Sequence, residues 1–89
     1  SDMLQKIIKL LYVTDDKIMQ KLATSNYKIP NATRIYLSLD KSKLRKPIEI
    51  ENTNIYFETN LSANNIMSFI RELFSEYDLS NDDFTFYTD

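Results

Sequence analysis

The sequence predicts an α+β fold in one small domain: N-terminal helices, a β-hairpin, a long amphipathic C-terminal helix and a closing strand. Three observations predict it. The chain has 89 residues, enough for one modest core and too few for two, since a chain of this size buries roughly 60–65% of the surface its unfolded form exposes. Apolar residues recur at helical spacing near the N-terminus and again after Ser62, while two runs between them alternate with the period of a strand. Composition, at 43% hydrophobic and 27% charged, is that of an average globular domain and excludes a disordered tail or a coiled-coil rod.

In chain order, Leu4, Ile7, Ile8 and Leu11 follow the i, i+3, i+4, i+7 spacing of a first helix. Thr14 reads as the N-cap of a second, with Asp15 and Asp16 in the first turn where exposed amides and the helix dipole favour negative charge. Its inward stripe is Ile18, Met19, Leu22 and Ala23, and it should end near Ser25 and Asn26, because Ile29 precedes Pro30 and is pushed out of the α region. Residues 31–43 fit two periods. As a helix capped by Asn31, the segment turns Ala32, Ile35, Tyr36 and Leu39 inward and Arg34, Ser38 and Lys41 outward. As a strand, Ile35, Leu37 and Leu39 alternate with Arg34, Tyr36, Ser38 and Asp40. The helix leaves Leu37 exposed, so the pattern slightly favours the strand. Residues 47–51 and 54–58 alternate on either side of Asn52 and Thr53 as a hairpin. Ser62 caps a helix running to Tyr77 with the stripe Ile66, Phe69, Ile70, Leu73, Phe74 and Tyr77, the strongest periodic signal in the chain. A polar turn at residues 80–83 then leads to a closing strand, Phe84, Thr85, Phe86 and Tyr87.

The chain has no Cys, His, Trp or Gly. Disulfides, thiol nucleophiles, His-based triads, the usual zinc sites and Gly-rich phosphate loops are therefore excluded. The paired carboxylates Asp15–Asp16 and Asp82–Asp83 are of a kind that holds hard cations, but a helix N-terminus and a solvated turn account for them. No catalytic, cofactor-binding or metal-binding residue is nominated, and the expected protein is not an enzyme and carries no cofactor. The longest uninterrupted apolar stretch is Leu10, Leu11, Tyr12 and Val13, far short of the ~20 residues that span a bilayer. Lys6 and Lys9 interrupt any signal-peptide core. A cytoplasmic protein without a membrane partner is expected.

The net charge of −2 conceals a division between Lys46 and Pro47. Residues 1–46 carry ten basic and four acidic side chains, residues 47–89 one and nine, giving +6 and −8. The densest basic patch is Lys41, Lys43, Arg45 and Lys46. Such asymmetry points to an anionic partner for one end, unless the halves neutralise one another or are simply solvated.

With helix one, a helix entered at Thr14, a possible third helix from Ile29 to Leu39 and then a hairpin, residues 3–59 resemble the winged helix-turn-helix DNA-binding superfamily. Residues 60–89 add the long helix and closing strand to that pattern. The resemblance implies a transcription regulator bound to duplex DNA, with Thr33, Arg34 and Ser38 facing the major groove. Lys41, Lys43, Arg45 and Lys46 would hold phosphates, and Asn52, Thr53 and Asn54 would form the wing tip. The loop from Thr24 to Pro30 is longer than the usual 3–4-residue turn of the motif, and the wing is flanked by Glu49, Glu51 and Glu58. The helix at residues 62–77 would supply a homodimer contact and hence a palindromic operator. The competing class is a non-catalytic protein-binding module, such as a phage or mobile-element inhibitor or adaptor acting on a host or defence protein. In it, residues 34–39 are a strand of a three-stranded meander. The contact is then made by the acidic C-terminal half or by exposed parts of Tyr56, Tyr77, Phe84, Phe86 and Tyr87.

Overall fold

A computed structural model describes residues 2–80 and 82–83. Helix α1 spans Asp2–Thr14 and α2 spans Asp16–Thr24; strand β1 is Leu37–Ser38, β2 is Pro47–Ile50, β3 is Ile55–Glu58, and α3 is Ala63–Glu76. A single 3₁₀ turn, Lys41–Lys43, lies between β1 and β2. The α+β architecture is the one the sequence predicts, with helices and a three-stranded antiparallel sheet in one core.

The helices follow their apolar stripes. Leu4, Ile7, Ile8 and Leu11 of α1 are buried, as are Met19, Leu22 and Ala23 of α2, with Ile18 half-buried beside them. The cap between α1 and α2 differs from expectation by one residue. Thr14 ends α1 and donates its hydroxyl to the Leu10 carbonyl at 2.8 Å, while Asp15 is the N-cap of α2 and accepts from the Lys17 N–H at 3.1 Å. The longer α1 makes this exchange natural, because Thr14 bonds back to residue i−4 as helical Thr does. Ser62 caps α3 by accepting from the Asn65 N–H at 3.2 Å, and Phe69, Ile70, Leu73, Phe74 and Tyr77 are buried. The Tyr77 hydroxyl donates to the Asp15 carbonyl at 2.9 Å, tying the end of α3 to the α1–α2 corner.

Residues 31–43 settle as neither a full strand nor a helix. Only Leu37 and Ser38 pair with β3, opposite Phe57 and Tyr56, preceded by an isolated bridge between Tyr27 and Leu37. The recognition helix implied over residues 29–39 is thus corrected to a loop leading into a short strand. The physical reason is Leu37. It is fully buried here, whereas a helix capped at Asn31 leaves it facing water. The backbone also finds partners across the sheet: the Tyr36 N–H donates to the Tyr27 carbonyl at 2.7 Å, and the Glu58 N–H to the Tyr36 carbonyl at 2.9 Å.

The sheet order is β1–β3–β2, which corrects the expected meander. β3 lies in the centre and pairs antiparallel with both neighbours. The connection from β1 to β2 therefore has to cross β3, and this crossing carries the basic loop. The hairpin register, Ile48 opposite Phe57 and Ile50 opposite Ile55, places these side chains with Leu37 on the face that joins the helices. The expected closing strand at Phe84–Tyr87 lies outside the described residues. The apolar face of α3 is consumed by the core of its own chain, so a homodimer contact through this helix would have to use its polar face.

Without Gly, the chain turns on Asn and Asp. Asn26, Asn31, Asn52, Asn54 and Asp78 all have φ between 55° and 68°, the left-handed region that only Gly enters without cost and Asn and Asp enter at least cost among the others. Asn52 and Asn54 supply the two positive-φ positions of the β2–β3 turn, doing what Gly does in most hairpins. Replacing exposed Asn54 by Ala should lower stability by about 1 kcal/mol, while Asn54→Gly should leave it unchanged or raise it. Urea unfolding midpoints of the two variants distinguish the cases, and equal midpoints would show that the turn carries no left-handed constraint.

Candidate functional site

Of the residues nominated from sequence, the fold brings four to one exposed surface and uses two for its own structure. Lys41, Lys43, Arg45 and Lys46 are all exposed. Lys41 and Lys43 stand on the 3₁₀ turn, whose N-cap Asp40 accepts from the Ser42 N–H at 3.0 Å and the Ser42 hydroxyl at 2.7 Å. These two bonds, followed by the nearby Lys43 charge, outweigh a small desolvation effect and hold the Asp40 carboxyl below its usual range. Leu44 is buried between its charged neighbours.

Arg34 and Ser38 are engaged internally. Ser38 is fully buried, donates to Asn26 Oδ1 at 2.7 Å and accepts from the Asp40 N–H at 3.0 Å. It thereby joins the left-handed turn after α2 to the start of the basic loop. Arg34 Nη2 lies 3.1 Å from Glu58 Oε1, and its Nη1 donates to the Asn60 carbonyl at 3.1 Å. Thr33 is exposed beside it. The other expected groove and wing residues are placed apart from the basic loop: Asn52 and Asn54 are exposed and Thr53 half-buried in the β2–β3 turn. The Asn54 N–H there donates to Glu49 Oε2 at 3.0 Å.

The organising residue is Glu58, which sequence reasoning placed among charges flanking the wing. In strand alternation Glu58 shares a face with Tyr56, opposite Ile55 and Phe57. It is nevertheless only 1% exposed, because the end of the crossing connection closes over it. Its Oε1 accepts from the Arg45 N–H at 2.7 Å and its Oε2 from the Lys46 N–H at 3.0 Å and the Asn60 N–H at 2.9 Å. With Arg34 these make four contacts to one carboxylate. Burial alone raises its pKa; the three backbone donors, and then the Arg34 guanidinium, overcome that and hold the carboxyl below its ordinary 4.5. No sequence signal identifies it, since the donors are main-chain groups thirteen, twelve and two residues away.

The charge division does not neutralise by pairing. Arg34–Glu58 is the one ion pair among the described residues, so no cation of the 41–46 loop makes an ion pair among them. Nor do the carboxylates gather: Asp15 caps α2, Asp83 accepts from the Ser80 N–H at 2.8 Å, and no group of three or more potential metal ligands converges among the described residues. Among the same residues, no helix is long and apolar enough to cross a membrane.

A second feature sequence reasoning missed is a groove of about 510 Å³ between the loop at residues 29–34 and α3. Its lining includes Thr33, Arg34 and Tyr36 on one side and Asn65, Ser68 and Glu72 on the other. Tyr36 packs its ring edge-on against Phe69, centroids 5.0 Å apart, which fixes one wall to the core.

No family model matches the chain, and neither curated proteins nor solved structures show a significant similarity to it.

The Glu58 arrangement generates a stability prediction. Glu58→Gln removes the charge and offers an amide donor to three N–H groups that are already donors, so it should cost about 2–4 kcal/mol. Because the folded carboxyl titrates below 4.5, the unfolded chain binds the proton more readily. Stability from this group is therefore complete above the unfolded value and is lost as pH falls through the lower, folded one. Urea unfolding from pH 6 downward should show a steep acid limb in the parent and a shallower one in Glu58→Gln; parallel limbs would contradict the assignment.

A second substitution tests the core. The Tyr27 hydroxyl is buried with no hydrogen-bond partner among the described residues, so Tyr27→Phe should be neutral or stabilising by up to about 1 kcal/mol. A loss above 1 kcal/mol in the same assay would require a partner for that hydroxyl.

Proposed function

We propose that this chain is a non-catalytic protein-binding module whose basic loop docks against an acidic surface of a partner protein. One observation carries this reading: Lys41, Lys43, Arg45 and Lys46 stand exposed within six residues on a loop whose backbone is held by the buried Glu58 carboxylate. Four cations on a mobile segment would lose conformational entropy on docking. A loop fixed beforehand by main-chain bonds spends less of its binding energy on ordering. The charges steer an acidic partner into place and set its register. A role as an inhibitor or adaptor of phage or mobile-element type, acting on a host or defence protein, belongs to this reading, because it asks for docking and no chemistry.

The same four cations also favour the second reading, duplex DNA, since phosphates are bound by such side chains. Winged-helix recognition requires a helix seated in the major groove, and residues 29–39 form no helix. Ser38 and Arg34, which would read bases, are bonded within the fold. Glu49 and Glu51, exposed beside the turn, would repel phosphate. The geometry therefore supports a protein surface ahead of a nucleic acid.

The test replaces Lys41, Lys43, Arg45 and Lys46 by Ala together, leaving the N–H groups of Arg45 and Lys46 to bond Glu58. A partner recovered with the parent chain at moderate salt should bind this variant about fourfold to nearly a thousandfold more weakly, at about 0.2–1 kcal/mol for each exposed charge. Equal affinity would remove the loop from the interface. Duplex DNA supplies the second arm. Salt-dependent binding with a log–log slope near −3.6, about −0.9 for each of four phosphates, would transfer the loop to the nucleic-acid reading.

A further inference from the structure

We propose that the groove between residues 29–34 and α3 binds a short extended peptide segment of a partner protein that carries a lysine or arginine, with Glu72 receiving the cation. This site is separate from the basic loop and of opposite sign, and it does not depend on what that loop binds.

The shape comes first. Asn65, Ser68 and Glu72 line the groove at spacings of three and four residues, so they form one face of α3, away from the stripe of Phe69, Ile70, Leu73 and Phe74 in the core. Seven residues of helix advance about 10 Å, the length of roughly three residues of extended chain. A volume of about 510 Å³ falls within the range of roughly 300–1,000 Å³ that ligand sites occupy.

Hydrogen-bonding capacity comes second. Along the opposite wall, the Ala32 N–H is bonded to the Ile29 carbonyl at 3.1 Å and the Tyr36 N–H to the Tyr27 carbonyl at 2.7 Å. Between them, Thr33 and Arg34 line the groove, and their backbone N–H groups have no partner among the described residues. With the Asn65 amide and the Ser68 hydroxyl across the groove, they match the main-chain donors and acceptors of a peptide, the group that every extended segment presents.

Charge decides what kind of peptide. Arg34 is the one cation lining the groove, and its charge is engaged by Glu58 at 3.1 Å. Glu72 has no cation within ion-pairing distance among the described residues, and Arg71, its exposed neighbour in α3, makes no pair with it. Glu76 stands one turn further along the same helix. The field of both carboxylates reaches the core: the Tyr27 hydroxyl is pushed up to about 12, first by burial, then by Glu76 and Glu72. A half-buried, unpaired carboxylate at one end of a polar groove selects a cationic side chain. An acidic segment would meet repulsion from the same two residues.

The experiment titrates the whole chain with a capped hexapeptide of alternating Lys and Val, and separately with its Glu-for-Lys counterpart, following backbone amide shifts by NMR. The Lys peptide should produce saturable shifts at Thr33, Arg34, Asn65, Ser68 and Glu72, and the Glu peptide should produce none there. In Glu72→Gln, affinity for the Lys peptide should fall about three- to fivefold, the effect of one partly exposed ion pair, while the unperturbed spectrum reports that the fold is intact. The proposal is overturned if the Lys peptide leaves these amides unmoved at millimolar concentration, if its shifts gather at Glu49 and Glu51 instead, if both peptides act alike, or if Glu72→Gln binds unchanged.

Discussion

One buried carboxylate decides how this small sheet is closed. Glu58 ends the central strand at the place where the connection between the two outer strands must cross it. A crossing of this kind leaves the last residues before β2 without ladder partners, and unpaired backbone groups under cover are costly. Glu58 satisfies the Arg45, Lys46 and Asn60 N–H groups together and takes the Arg34 guanidinium as counter-ion. A carboxylate so buried would be strongly destabilising alone; with four contacts, its desolvation is offset by bonds that themselves need a charge to be strong. The same contacts hold the loop's main chain while its four cationic residues stand exposed. The buried carboxylate and the exposed cations are thus joined through one stretch of backbone.

The second constraint is the absence of Gly. Five turn positions among the described residues, all Asn or Asp, take the left-handed region, and one of these, Asn26, uses its side chain to accept from Ser38 and join the α2 exit to β1. Such reversals tolerate little change, because each must accept a positive φ and several must also make a particular hydrogen bond. Three side chains hold the basic loop itself. Asp40 caps its first turn, Leu44 is buried at its middle and Glu58 bonds its end.

Much of this was legible in the residues. The stripes of α1, α2 and α3, the hairpin and the Ser62 cap all follow from periodicity and local capping chemistry, which depend on neighbours in sequence. Thr14 and Asp15 were one position apart as caps, since both side chains suit the role and only the length of α1 separates them. Residues 31–43 fit two periods, Ile35, Leu37 and Leu39 matching one and Ile35, Tyr36 and Leu39 the other, with a slight preference for the strand; burial of Leu37 in the assembled core excludes the helix but leaves only Leu37 and Ser38 as strand. The exposed cations were legible as a patch, but the inward roles of Arg34 and Ser38 were not. Those roles depend on Glu58 and Asn26, twenty-four and twelve residues away, and pairing at such separation leaves no local trace. For the same reason the groove along α3 was invisible: its two walls come from segments about thirty-five residues apart in the sequence, joined in part by the packing of Tyr36 on Phe69.

The central claim is that the Glu58 carboxylate holds the backbone of the basic loop, and amide hydrogen exchange of the unsubstituted chain measures this directly. The Arg45 and Lys46 amides should exchange as slowly as those of β3 at neutral pH and lose protection together as Glu58 protonates below its ordinary 4.5. Exchange of these two amides at the rate of an exposed loop at neutral pH, or protection indifferent to acid, would contradict it.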